Sequence, residues 1–241
     1  MMENFEIEKY LALHGSENAY TSQLLEDFYF LKEYKHYYQA LNIYHLLFMT
    51  FIYQTVLKAR EWRRNKFEDA TILINFPRDL SREKILETSQ AFDFSLIPER
   101  TFMQYLRLFD ADDNLIGDCK KLVDDRNERS HANGNYVTDE YLFEKKINQY
   151  DNVLSRIHSL YKTFLVEILN TYLTDLEEDI NISRDDLELY LISPQKLSLV
   201  DLQCLLGLCG NGNTNHENIK NILIEDYGFD EIARESFTEG G

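Results

Sequence analysis

The chain has 241 residues, is 44% hydrophobic and 13% aromatic, and carries a formal net charge of −17. That is enough apolar material to bury the core of one large domain, or of one domain with a small appendix. The acidity opposes general binding to nucleic acid, which draws its affinity from lysine and arginine neutralising phosphates.

The acidic excess is uneven. Residues 175–241 hold 15 acidic and 4 basic residues, a net of −11, whereas residues 1–174 hold 27 and 21, a net of −6. Any contact with RNA is therefore expected in the first two-thirds of the chain. Cys119, Cys204 and Cys209 are odd in number and lack a framework spacing, which fits a reducing cytoplasm. The first residues, Met1 to Glu6, show no basic region before an apolar run, so no leader is expected. The most apolar window, Ile43 to Leu57, is too short for a membrane span and contains His45, Thr50 and Gln54. It reads as a helix buried on most sides.

In chain order the elements are helical. Only 3 prolines and 9 glycines occur, with no glycine between Gly15 and Gly117 and no proline before Pro77. Leu24, Phe28, Leu31, Tyr34, Tyr38, Leu41, His45, Phe48, Ile52, Thr55 and Ala59 recur every three or four positions, the helical period. One or two long helices are predicted over about residues 17–65, with a break near Pro77. Shorter helices follow over about 81–92 and 98–109, with Pro98 at a favoured first position. The run 110–114 reads as a loop. A helix from about Asp118 is expected to stop at Asn133-Gly134. Thr138 is a plausible N-cap for a long helix whose seam runs Phe143, Ile147, Tyr150, Leu154, Ile157, Tyr161, Phe164, Ile168, Tyr172 and Leu176. Short helices are predicted over 183–191, 198–209 and 217–227. Ser183 with Asp186 and Ser198 with Asp201 have capping-box-like spacing. The predicted fold is an all-α bundle of long antiparallel helices over residues 1–177, with a small acidic helical extension over 178–241.

The string Asp124-Asp125-Arg126-Asn127-Glu128-Arg129-Ser130-His131 carries the chemistry. Arginine stays charged in a protein, and histidine titrates near neutrality. Together they can stabilise a phosphate and move a proton without a metal. Five positions apart, on an ideal helix they would diverge by about 140°, so they converge only if the helix ends between them or two copies meet. His131 would act as general base or acid in attack of a ribose 2′-hydroxyl on its own phosphate. Arg126 would stabilise the charge that builds on phosphorus, with Asn127 orienting His131 or a phosphate oxygen. The alternative is a surface arginine ion-paired with Asp124 or Glu128, and a histidine whose charge suits a helix C-terminus.

Arg126-Asn127-Glu128-Arg129-Ser130-His131, near the end of a helix in an all-α chain and followed by a long helix, resembles the signature of the HEPN superfamily. The resemblance covers about residues 17–175. It implies a metal-independent endoribonuclease of a toxin–antitoxin, abortive-infection or other antiviral defence system. It also implies that Arg126, Asn127 and His131 are the catalytic set, that no cofactor is needed, and that a homodimer forms one composite cleft. The products would be a 2′,3′-cyclic phosphate and a 5′-hydroxyl. Members silenced by a nucleotidyltransferase partner often carry a tyrosine two residues after the histidine. Asn133 stands there, so that form of silencing is not expected. Some members are inactive, and the alternative function is a helical module that docks a protein partner, inhibitor or activator, through its acidic surface.

Lys58, Arg60, Arg63, Arg64 and Lys66 gather beside Trp62 and form the best local phosphate-binding patch in the sequence. Lys120, Lys121 and Arg129 flank the motif and are expected to add phosphate contacts. Cys204, Cys209 and His216 supply only three ligand types at irregular spacing, so buried cysteines are expected rather than a metal site. His45, within an apolar run, is expected to be a hydrogen-bonded core or interface residue.

Overall fold

The computed structural model describes residues 5–14, 18–78, 80–131, 137, 139–176, 182–209 and 214–229. Among these the regular structure is helical, and an isolated antiparallel bridge joins Ala12 to Ser198. Two compact units form: residues 1–11 with 16–161, and residues 12–15 with 162–241. The division at Tyr161 falls inside a helix. Helix continuity in sequence does not reveal where packing partners change.

In the first unit α1 (Glu6–Tyr10) and α2 (Asn18–Glu33) pack on α3 (Tyr37–Trp62). Helix α3 is long and apolar enough to cross a membrane by length and composition, but 83% of its apolar window is buried. It is the central core helix, enclosed all round from Leu47 to Arg60. A hydrophobic helix surrounded by other helices needs no lipid.

The break between α2 and α3 is made without glycine or proline. Lys35 adopts φ 59°, its N–H donates to Lys32 O at 2.9 Å, and the N–H of His36 donates to Leu31 O at 2.8 Å. This is a Schellman closure with a lysine in the left-handed position. Asp110 and Lys196, at φ 61° and 49°, close two other helical segments in the same way. Relief of left-handed strain is worth about 1–2 kcal/mol, against about 1 kcal/mol for the freedom glycine adds to the unfolded chain. Lys35→Gly is therefore expected to stabilise the protein by about 0.5–1 kcal/mol, read as a higher urea midpoint at unchanged slope.

Helix α4 (Arg64–Ile72) extends helical structure beyond the expected end near residue 65. Helix α5 (Arg82–Glu87) and a 3₁₀ turn at Ala91–Leu96 follow, and α6 (Glu99–Phe102) tightens into a 3₁₀ stretch, Met103–Phe109. Helix α7 (Asp113–Ser130) begins five residues before the predicted start. The Asp112 side chain caps it, accepting from Leu115 N at 2.7 Å. The stop expected at Asn133-Gly134 and the cap expected at Thr138 lie outside the described residues.

Helix α8 (Glu140–Asp175) follows the predicted seam, with Phe143 through Tyr172 buried. Two aromatic clusters fill the first unit. Phe28, Phe48, Tyr44, Phe143 and Tyr150 form one, and Tyr53, Phe67, Phe94, Phe102 and Tyr105 the other. In the second unit α9 (Arg184–Leu187) runs into a π-turn, Glu188–Ile192, and α10 (Leu199–Leu208) packs against α11 (Thr214–Glu225). The capping boxes expected from the Ser183/Asp186 and Ser198/Asp201 spacings are both formed.

Candidate active site

Helix α7 buries Leu115, Ile116, Cys119, Leu122 and Val123 on one face. Continued by threes and fours, that stripe arrives at Arg126 and Arg129. The two arginines occupy positions where periodicity calls for apolar residues, and the surrounding fold supplies polar partners.

Arg126 is 27% exposed in its side chain. Its Nη2 donates to Oε2 of Glu99, at the start of α6. The same oxygen accepts from His45 Nε2 at 3.0 Å, and His45 Nδ1 lies 2.9 Å from the Tyr150 hydroxyl. Arg129 Nη2 reaches that hydroxyl at 3.5 Å, while its Nη1 pairs with Asp125, which also takes Lys146 at 2.7 Å. The directions agree along the chain of bonds. Arg129 donates to Tyr150, Tyr150 donates to Nδ1, and a neutral His45 donates through Nε2–H to Glu99.

Burial pushes the His45 pKa down, and the Arg126 and Arg129 charges lower it further against the opposing pull of Glu99. Burial alone would raise the Glu99 carboxyl. The hydrogen bond from His45 and the hydrogen bond and charge of Arg126 outweigh it and leave the group below its ordinary value. A neutral histidine and an ionised glutamate are the consistent pair. His45 is thus the hydrogen-bonded core residue expected from the sequence.

His131 sits elsewhere. It is exposed and leaves the helix in extended conformation, φ −90° and ψ 150°, with its backbone N–H returning to Glu128 O at 3.3 Å. Ser130, one turn below Arg126, donates to Arg126 O at 3.0 Å. The chain therefore turns away just past the arginine's face, about 7.5 Å further along the axis. The structure brings Arg126 to Glu99 and His45, not into a hydrogen bond with His131. Asn127 is half-buried beside them and makes no side-chain hydrogen bond among the described residues. Asn133 lies outside those residues.

Three of the residues expected to contact RNA are buried. Arg129 is 4% exposed and engaged as above, with its backbone carbonyl accepting from the Tyr38 hydroxyl. Lys58 is 9% exposed with its ammonium over the Tyr161 ring, and Arg60 is 7% exposed and pairs with Glu61. Their stems complete the core, so they offer no surface to a phosphate. Arg63 reaches Leu108 O at 3.4 Å, Arg64 pairs with Glu68 at 2.6 Å, and Lys66 is exposed. This end of α3 lies about 33 Å along the helix from Tyr38, and so from the end of α7. Lys121 is exposed and pairs with Asp118 at 3.0 Å. Lys120 lines a cavity of about 540 Å³ with Arg100, Arg107, Asn75 and Gln104. Arg100 adjoins Glu99 and pairs with Asp124. This basic recess beside α6 was not legible from the sequence, because its cations come from two helical segments, residues 99–109 and α7.

All three cysteines are free and buried, and burial pushes their thiols up to about 11 or 12. Among the described residues no group of three or more His, Cys, Asp or Glu side chains is arranged to hold a metal ion. No family model matches this chain, and neither a curated protein nor a solved structure is similar to it.

Proposed function

We propose that this chain is a metal-independent endoribonuclease of a bacterial defence or toxin–antitoxin type, acting in the cytoplasm as a homodimer. The observation that carries the reading is the state of the motif. Arg126 is charged, half-exposed and held in orientation by Glu99, and the helix ends where His131 emerges into solvent. The all-α character agrees with the HEPN superfamily that the motif resembles. Preorganised charge beside developing phosphate charge is the largest catalytic contribution such a site offers. An exposed histidine at a helix end supplies a group able to take or give a proton.

A second reading has its own support. Glu99 already neutralises Arg126, and Lys58, Arg60 and Arg129 are buried. Both facts suit a silent helical module that docks a protein partner through its acidic surface.

One experiment separates the two. Total RNA incubated in EDTA with the parent protein is expected to yield fragments ending in 2′,3′-cyclic phosphate and 5′-hydroxyl. Arg126→Ala is expected to lose about 10²–10³ in rate and His131→Ala about 10²–10⁴. Equal behaviour of all three proteins, or cleavage that requires a divalent ion, rejects the nuclease. The first of these outcomes leaves the docking module.

A further inference from the structure

We propose that Glu99 is the general base of this site, taking the proton from the ribose 2′-hydroxyl on its Oε1 while Arg126 holds the phosphate and His131 protonates the leaving group. The assignment rests on the ribonuclease reading above.

The argument begins with what each oxygen of the carboxylate does. Oε2 carries both bonds, from His45 Nε2 at 3.0 Å and from Arg126 Nη2. Oε1 carries none among the described residues and is not enclosed. Two donors from different helices fix the carboxylate plane, so Oε1 faces one direction. On the arginine side Nη2 is engaged and Nε is enclosed without a partner, which leaves Nη1 unengaged among the described residues. Oε1 of Glu99 and Nη1 of Arg126 are each two bonds from the Nη2–Oε2 contact, at a surface where Glu99 is 19% and Arg126 27% exposed. A 2′-hydroxyl and the phosphate it attacks are likewise neighbours on one nucleotide. They require an acceptor and a cation at that spacing.

In-line displacement supplies the second reason. The entering O2′ and the leaving O5′ lie on opposite sides of phosphorus. One imidazole cannot take the first proton and give the second within a single step. A second group is therefore needed, and Glu99 is the acceptor beside Arg126. In the balanced step the O2′–H proton passes to Glu99 Oε1 and O2′ bonds to phosphorus. The P–O5′ bond breaks and O5′ takes a proton from the His131 imidazolium. The cyclic phosphate and 5′-hydroxyl leave, and both side chains exchange their protons with water. Arriving phosphate shares the Arg126 charge, which raises the proton affinity of Glu99 when a base is needed. The groups around Glu99 are His45 and Tyr53 on α3, Arg126 on α7 and Tyr150 on α8, with Arg129 and Asp125 behind them. None of the nearer four is a second carboxylate, so the acidic limb of a pH profile reports Glu99.

The test compares the parent, Glu99→Gln and His131→Ala on a dinucleotide and on uridine 3′-(p-nitrophenyl phosphate), whose leaving group needs no proton. His131→Ala is expected to be about 10²–10⁴ slower on the dinucleotide and far less affected on the nitrophenyl ester. Glu99→Gln keeps the acceptor for His45 and Arg126. It is expected to be slower by about 10² or more on both substrates, with the acidic limb of kcat/KM lost. A parent that cleaves and a folded Glu99→Gln within about threefold of it, or faster, overturns the assignment alone. So does a defect confined to the dinucleotide. Should Glu99→Gln fail to fold, Glu99→Asp decides: a displaced acidic limb supports the base, and an unmoved limb overturns it. A parent inert toward both substrates overturns the ribonuclease reading, and the base with it.

Discussion

Mixing Arg126→Ala chains with His131→Ala chains is expected to restore about a quarter of parent RNA cleavage, although each variant alone falls by about a hundredfold or more. Arg126 is held against Glu99, while His131 leaves α7 in extended conformation and forms no hydrogen bond to the Arg126 side chain. A composite site takes the arginine from one copy and the histidine from the other. Half of a random mixture is then mixed dimers, and each mixed dimer has one of its two sites intact. If one chain supplies both groups, mixing restores nothing. Fragment yield against mixing ratio reads the result directly. A flat line at the level of the single variants rejects the shared cleft while leaving the nuclease standing.

Arg129→Ala is expected to cost about 3 kcal/mol of stability or slightly more, with little direct effect on any RNA contact. Arg129 is 4% exposed and bridges Asp125 and Tyr150, while Asp125 keeps Lys146 at 2.7 Å. That remaining partner and the 27% exposure of Asp125 place the cost at the lower end for a broken buried pair. For a chain of this size about 3 kcal/mol corresponds to roughly 6–12 °C in Tm. Lys121→Ala breaks an exposed pair with Asp118 and is expected to stay within about 0.5 kcal/mol. A thermally unchanged Arg129→Ala protein with weakened RNA binding would return Arg129 to the surface role that its place in the motif suggests.

The long helices were legible because periodicity is a local signal. The α8 seam and both serine–aspartate caps need only residues three or four apart. The turns were harder to read. Lys35, Asp110 and Lys196 adopt left-handed conformations normally left to glycine; the loop expected over 110–114 covers Asp110, but no glycine or proline marked the turn at Lys35. The start of α7 at Asp112 was hidden in a run of aspartates and read as loop, since Asp112 and Asp113 both suit a cap.

The site divides along the same line. By itself the sequence determined the motif, the helical class, the burial of His45 and the uneven charge, each of which follows from residue type and near-neighbour spacing. Only the tertiary structure decided which cations are available. Lys58, Arg60 and Arg129 look alike in sequence to surface cations, but α3 and α7 turn their stems into the core. Glu99 lies 27 residues before Arg126 on a four-residue helix with no pattern of its own. Its meeting with Arg126 and His45 depends on three helices closing around one point. The physical reason is range: hydrogen bonds along a helix are set by neighbours in the chain, whereas an ion pair is set by whatever packing brings within 4 Å.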